Sequence, residues 1–384
     1  MENQIKSRLS QAVESRVFPG CVVGIVKKSG ERTVIPFGNF TYDSGSRAME
    51  SGSVFDIASV TKSIPTSSLA LKLLEDGRLK LENKISDFLP VSDNPDMADV
   101  SIKHLLTHTL DWGFRLSEMK GKPREEILRT IFSAKLKNPP GTTYFYSNAT
   151  SILLGLIVKK IYGNTLDNLG KDIFFSPLGM EKTTFHPLEI LSKEEIVPTE
   201  IQEWRPASAS DKRDGLVQGE VHDESAYSLK EPVGSAGVFS CVPDLLNFME
   251  MLLNGGELNG KRYFSENTIE KIQTDYGAEV GERDNLGEPK VIRIGLGWEL
   301  NQPWYMGTNS DESVSALARD RSAKQKRDGK RFGKTGFTGC SCVCDTELET
   351  ALVILSNRVY PARKQNSADI NEVRRDIADI VFTS

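Results

Sequence analysis

Strand-like runs gather at the two ends of this chain, and the stretch between them carries helical spacing. CVVGIVK (21–27) and RTVIP (32–36) read as two strands, with the turn-forming pair Ser29-Gly30 between them. At the far end IGLGWEL (294–300), GCSCVCD (339–345) and ETALVILSN (349–357) read as strands, and SADINEVRRDIADIVF closes the chain as a charged helix. Between them, KSIPTSSLALKLLEDGRLKL sets Ile64, Leu69, Leu71, Leu73 and Leu74 ahead of Gly77, the pattern of a helix with a glycine stop. SIKHLLTHTL (101–110), with Ser101 as cap, TSILLGLIVKKIYG (150–163) and DLLNFMEMLLNGG (244–256) read as further helices. Strands must pair, so the two ends are expected to meet in one sheet with a helical insertion between them.

Composition narrows the class. The chain has 384 residues, 38% hydrophobic and 26% charged, which excludes a disordered, collagen-like or coiled-coil protein. That length buries a core without disulfides or metals. A net charge of -5 lacks the basic footprint of a nucleic-acid binder. No apolar run approaches the roughly 18 residues of a membrane span. Five cysteines are too few for a disulfide scaffold, and an odd number leaves at least one unpaired. A cytoplasmic location is expected; export after removal of a leader is the alternative.

Three short motifs could carry chemistry. Ser59-Val60-Thr61-Lys62 stands where an extended segment meets a helix. Residues three apart share a helix face, so the Lys62 amine can reach the Ser59 hydroxyl. A serine hydroxyl needs an adjacent base, and burial lowers a lysine's pKa enough for it to serve. Ser117-Glu118-Met119-Lys120 has the same form, so the motif alone does not choose between them. Tyr146-Ser147-Asn148 offers a phenol that ionises more easily beside a cation, and an amide that both donates and accepts; an aromatic beside a helix cap would look the same. Lys334-Thr335-Gly336 offers a cation, a hydroxyl and a residue that permits close approach. Its GKT resembles a phosphate-binding loop, but the upstream glycine is out of register and a strand follows, so nucleotide binding is set aside.

Taken in this order, S-x-x-K, Y-x-N and K-T-G resemble the motif set of the penicillin-recognising serine enzymes. The chain resembles the serine β-lactamase-related hydrolases: class C β-lactamases, D-Ala-D-Ala carboxypeptidases and β-lactamase-like carboxylesterases. FDIASVTKS, SIKHLLTHT, PGTTYFYSN, SPLGMEKTTF, GLGW and GKTGFTG look like blocks of that family in its order. The resemblance implies a β-lactamase/transpeptidase-like α+β fold, with a mainly antiparallel sheet flanked by helices and an inserted helical region. Residues 1–65 and 285–384 would form the sheet part and 66–284 the mostly helical insertion. It implies Ser59 as a nucleophile forming an acyl-enzyme, and Lys62 and Tyr146 sharing the proton traffic. It further implies Asn148 contacting substrate, Lys334, Thr335 and Gly336 forming a wall, and backbone N–H groups of Ser59 and Phe337 as an oxyanion hole. The expected activity is hydrolysis of esters or amides of small acyl substrates, without a cofactor. The alternatives are D-Ala-D-Ala carboxypeptidase or β-lactamase action, and a catalytically silent ligand-binding protein on the same fold. Pro65 inside the nucleophile helix is expected to kink it.

Other features are read more plainly. His104 and His108 are one helical turn apart, but Leu105 replaces the glutamate of H-E-x-x-H, so capping and packing are expected rather than a metal. Cys340, Cys342 and Cys344 alternate along a strand, about 7 Å apart on one face, too far to share a zinc, and read as small core residues. Trp298 reads as a strand-packing aromatic that could border the site, and His222 as a candidate for the pocket rim. The basic stretch 318–334 reads as a solvated loop; its bolder reading has Arg319, Arg321 or Arg331 steering anions toward Lys334.

Overall fold

A computed structural model describes residues 1–91, 93–204, 213–277, 293–308, 331–364 and 368–383. Its main sheet joins the two chain ends. The strands are β1 (Gly20–Lys27), β2 (Arg32–Gly38), β3 (Glu299–Leu300), β4 (Arg331–Thr335), β5 (Ser341–Asp345) and β6 (Thr350–Ser356), in the spatial order β2-β1-β6-β5-β4-β3. Every neighbouring pair is antiparallel, and β1 meets β6 with Cys21 opposite Ser356 and Lys27 opposite Thr350.

Alternation assigns the two faces. Cys21, Val23, Ile25, Val343, Leu352 and Ile354 pack with the terminal helices Glu2–Glu14 and Ala368–Phe382. Val22, Val26, Cys342, Cys344, Ala351, Val353 and Leu355 join the main core on the opposite face. The helix Val242–Leu253 crosses that face at Gly24, where an added Cβ would lie 2.2 Å from Val242 Cγ1. All five cysteines are buried and unpaired, and the three alternating ones are small core residues as read from the sequence.

Two segments depart from their sequence pattern. The stretch after Ser59 is not one regular helix. Ala58–Lys62 is a tight 3-10 turn, Ser63–Ser67 a wide π turn, and regular α-helix begins only at Ser68, running to Glu75. Ile64 is extended at φ -120° and ψ 101°, because a residue before proline is pushed out of the helical region. The run 294–300 is a strand only at Glu299–Leu300. Ahead of it the chain reverses, with Gly295 N–H donating to Trp298 O and Gly297 at φ 78°. A Cβ on Gly295 would stand 1.7 Å from Ile272 O, so these glycines serve a tight turn against neighbouring backbone.

The middle of the chain supplies the helix Asn148–Tyr162, with the Ser147 hydroxyl accepting from Ala149 N–H at its start and Gly163 left-handed at its end. The hairpin Glu200–Trp204 with Arg213–Val217 was not read from the sequence. Phe55–Asp56 pairs with Phe239–Ser240 and ties the segment before Ser59 to this middle region.

Gly24→Val would force a branched side chain into the contact with Val242. The expected loss is about 1–3 kcal/mol, read as a lower urea midpoint at unchanged slope; an unchanged midpoint would contradict this packing.

Candidate active site

The segment bearing Ser59 is held under strain. Ala58 has φ 47°, a left-handed conformation that costs a non-glycine residue about 1–2 kcal/mol. Asp56 maintains it: one carboxylate oxygen accepts from Ala58 N–H at 2.7 Å and the other from His222 N–H at 2.6 Å. Thr338 Oγ1 donates to Asp56 O at 2.8 Å and brings the chain after β4 alongside. Gly336 is needed for that approach, because a Cβ there would lie 2.4 Å from Ile57 O.

Lys62 lies beneath Ser59 and is 2% exposed. Its Nζ is 3.1 Å from Ser59 Oγ, 2.8 Å from Asn148 Oδ1 and 2.6 Å from Ser235 O. Asn148 is oriented by donating Nδ2 to Asp223 at 2.9 Å and to Ser225 Oγ at 3.2 Å. Asp223 caps the helix Glu224–Leu229 by accepting from Ala226 N–H. Burial lowers the pKa of Lys62 below that of a free lysine; Tyr146 and Asp223 raise it again only in part, and Lys334 opposes them.

Tyr146 stands between the two lysines. Lys62 Nζ is 5.2 Å and Lys334 Nζ 4.7 Å from its ring centre. The residue is 38% exposed, and its ring lines the cavity beside Ser59. Burial of the hydroxyl would raise its pKa, but the charges of Lys62 and Lys334 and the Ser59 hydrogen bond outweigh it and set the phenol below its ordinary value. His108 packs against the same ring at 5.0 Å. Burial, then the charges of Lys334 and Lys62, hold His108 well below the usual histidine pKa, so it stays neutral.

Lys334 forms an ion pair with Glu299 at 2.8 Å and is 2% exposed. Burial works against its charge, but Glu299 and the nearby phenols keep its pKa above that of a free lysine. The sequence reading offered this ammonium as a cation in one wall of the site; in the structure it is paired with Glu299.

A cavity of about 310 Å³ opens over these groups. Ser59, Tyr146, Thr335, Gly336 and Phe337 line it, and Lys62, Asn148 and Lys334 support it from behind. All eight residues singled out from the motifs are therefore brought together. A second cavity of about 330 Å³, with Phe185, Leu188 and Tyr227 among its lining, contains none of them. The first is the better candidate because the reactive groups converge there.

Sequence reasoning missed several members. Glu299, Trp304, Arg358 and Arg374 line the cavity, and Asp223 and Ser235 O hold Asn148 and Lys62. Arg374 reaches Gly336 O and Cys340 O from the C-terminal helix. Only Asp223 left a local signal, as an N-cap before a short helix. The tryptophan at the cavity is Trp304. Trp298 is buried and packs edge-on against Phe332 at 5.5 Å, because the turn at Gly297 carries it inward. His222 lies behind the rim, not on it: it is 2% exposed, accepts or donates at Nε2 with Glu200 at 2.8 Å, and stacks on Phe337 at 5.8 Å.

The remaining candidates go elsewhere. Arg331 is buried and bonded to Asp345 at 2.8 Å, so it cannot steer solutes; Arg319 and Arg321 lie outside the described residues. Ser117 sits on the tight turn Leu116–Met119, and Lys120 pairs with Glu224 at 3.4 Å, away from the cavity lining. His104 Nδ1 accepts from Ser101 N–H at 3.1 Å, the capping role expected of it.

The family model described as Beta-lactamase matches residues 5–375. Over 339 residues the chain is 28% identical to an Escherichia coli K12 protein named "Putative D-alanyl-D-alanine carboxypeptidase", covering 80% of this chain and 70% of that one. The fold is similar to that of the D-alanine carboxypeptidase AmpC from Burkholderia cenocepacia, with a TM-score of 0.69 and 18% identity over 98% of this chain and 97% of that one. It is similar also to EstCE1, a hydrolase with promiscuous acyltransferase activity, with a TM-score of 0.69 and 19% identity over 97% and 98% of the two chains.

Asp56→Ala would leave two buried N–H groups unpaired and release the strain at Ala58. Each unpaired group costs about 1–3 kcal/mol, so a stability loss of roughly 2–5 kcal/mol is expected by chemical denaturation. A loss below about half a kcal/mol would show that Asp56 does not hold this segment.

Proposed function

Since the chain belongs to the Beta-lactamase family, whose members are serine hydrolases, we propose that it cleaves esters or amides of small acyl substrates through an acyl-Ser59 intermediate. The observation that carries this reading is the environment of the Lys62 amine. Two of its three neighbours, Asn148 Oδ1 and Ser235 O, are oxygens that can only accept. An uncharged amine has two N–H groups for those oxygens and one lone pair left over. In that form the lone pair would be directed at the Ser59 hydroxyl, whose oxygen is 3.1 Å from Nζ. Burial, which lowers the lysine pKa, favours this uncharged form.

The steps follow from the geometry. Ser59 Oγ attacks the acyl carbon while its proton passes to Lys62 Nζ. Negative charge develops on the acyl oxygen, which the backbone N–H groups of Ser59 and Phe337 would receive, each such donor being worth about 3–4 kcal/mol. The Tyr146 phenol, placed between Lys62 and Lys334, gives its proton to the leaving group and takes in its place the proton that Lys62 received from Ser59. Water then attacks the acyl carbon while Lys62 accepts its proton, and that proton passes to Ser59 Oγ as the acyl–oxygen bond breaks.

D-Ala-D-Ala carboxypeptidase action is a second reading, favoured by the names of the relatives and by Arg358 and Arg374, which could meet a carboxylate at the cavity wall. Rapid turnover of p-nitrophenyl esters without stable acylation by penicillin supports the esterase reading; release of D-alanine from an acyl-D-Ala-D-Ala peptide supports the other.

Ser59→Ala should lower kcat/KM at least about a thousandfold with little change in melting temperature, and a fluorophosphonate probe should add its mass to Ser59 alone. Turnover surviving that substitution would remove the nucleophile.

Because the amine must be uncharged and the phenol must hold its proton, kcat/KM should rise with pH through one inflection and fall through a second, both below the free-group values of 10.5 and 10.0. Those inflections belong to the coupled Lys62–Tyr146 pair. A profile flat from pH 5 to 10 would exclude this proton path.

A further inference from the structure

Nine large hydrophobic side chains stand exposed among the described residues, and three of them, Tyr146, Trp304 and Phe337, line this one cavity. Exposed aromatic surface gathered at one place marks a contact that a ligand completes. Trp304 is 40% and Phe337 46% exposed, yet both rings are pinned. Trp304 Nε1 donates to Gln302 Oε1 at 3.2 Å, and its rings lie 4.4 Å from Tyr305. Phe337 stacks on His222 at 5.8 Å with 24° between the planes, and the guanidinium groups of Arg358 and Arg363 lie 4.8 Å and 5.7 Å from its centre. Rings fixed in advance lose little freedom when a ligand packs on them. Flat aromatic partners gain more from such faces than alkyl chains of the same reach, through offset stacking and edge contacts. On one side of the cavity the Lys334–Glu299 pair balances its own charge, and the Arg358 guanidinium on the same lining is engaged with the Phe337 ring at 4.8 Å.

We propose that Trp304 and Phe337 are specificity-determining residues that select substrates carrying an aryl group over those carrying an alkyl group of equal length. This inference rests on Ser59 being the nucleophile, since the ligand's position is set by attachment there.

Boronic acids test it without turnover. Ser59 Oγ donates an electron pair to boron to form a B–O bond, its hydroxyl proton passes to Lys62, and the tetrahedral adduct holds its substituent in the cavity. Phenylboronic and n-butylboronic acid would be titrated calorimetrically into the wild type, Trp304→Leu, Phe337→Leu and the aromatic-retaining Trp304→Phe, each checked by thermal melting. The expected result is phenyl binding about tenfold tighter than butyl in the wild type, and a preference reduced about threefold in each leucine variant and largely kept in Trp304→Phe. Equal affinities in the wild type, or an unchanged preference in leucine variants that melt normally, would overturn the proposal. Ser59→Ala separates the two readings: it should lose both boronates, and if it binds them as tightly as the wild type, the nucleophile assignment falls, whatever the aryl preference.

Discussion

A lysine amine enclosed by protein oxygens is the interaction on which the rest of this structure turns. Placing Lys62 in the interior costs solvation, and the cost is offset by Asn148 Oδ1, Ser235 O and Ser59 Oγ within hydrogen-bond reach. Each partner comes from a different part of the chain. Asn148 begins the long helix and is turned by Asp223, which caps another helix. Ser235 precedes the strand that pairs with the Ser59 segment. One buried nitrogen therefore binds together elements that are far apart in sequence.

Several charges around the cavity are compensated, while Arg358 and Arg374 meet carbonyl and amide oxygens and no carboxylate among their described hydrogen-bond partners. Lys334 is balanced by Glu299, His108 is kept neutral, and Asp223 is held below its ordinary pKa by hydrogen bonds from Ser225 and Ala226 and by the Lys62 charge, despite burial acting the other way. Tyr146 is the group on which these fields converge, because both lysines approach its ring. Its lowered pKa is a property of that arrangement and not of the residue. The strained Ala58, held by Asp56, belongs to the same economy: a cost of about 1–2 kcal/mol at one residue fixes where the next side chain points.

Much of the fold was legible. Alternation and β-branched residues located β1, β2, β5 and β6, and the cap at Ser101 and the stop at Gly163 located two helices. Legibility failed where glycine and proline act through neighbours. GLGWEL looked like a strand because its apolar residues suit one, yet Gly295 and Gly297 are there for the close approach of the Ile272 carbonyl and the Ser67 side chain. The hairpin at Glu200–Trp204 lacked the short turn that marks one in sequence.

The sequence by itself determined which side chains the site would draw on, because S-x-x-K, Y-x-N and K-T-G each need only local spacing, and the sheet built from the two ends followed from where its strand runs lie. Tertiary structure alone decided what surrounds them. Glu299 neutralises a lysine 35 positions away, Asp223 orients an asparagine 75 positions away, and Trp304, not Trp298, faces the cavity. Coulomb forces, desolvation and packing act over ångströms of space, and a linear pattern holds no record of which distant residues will share them.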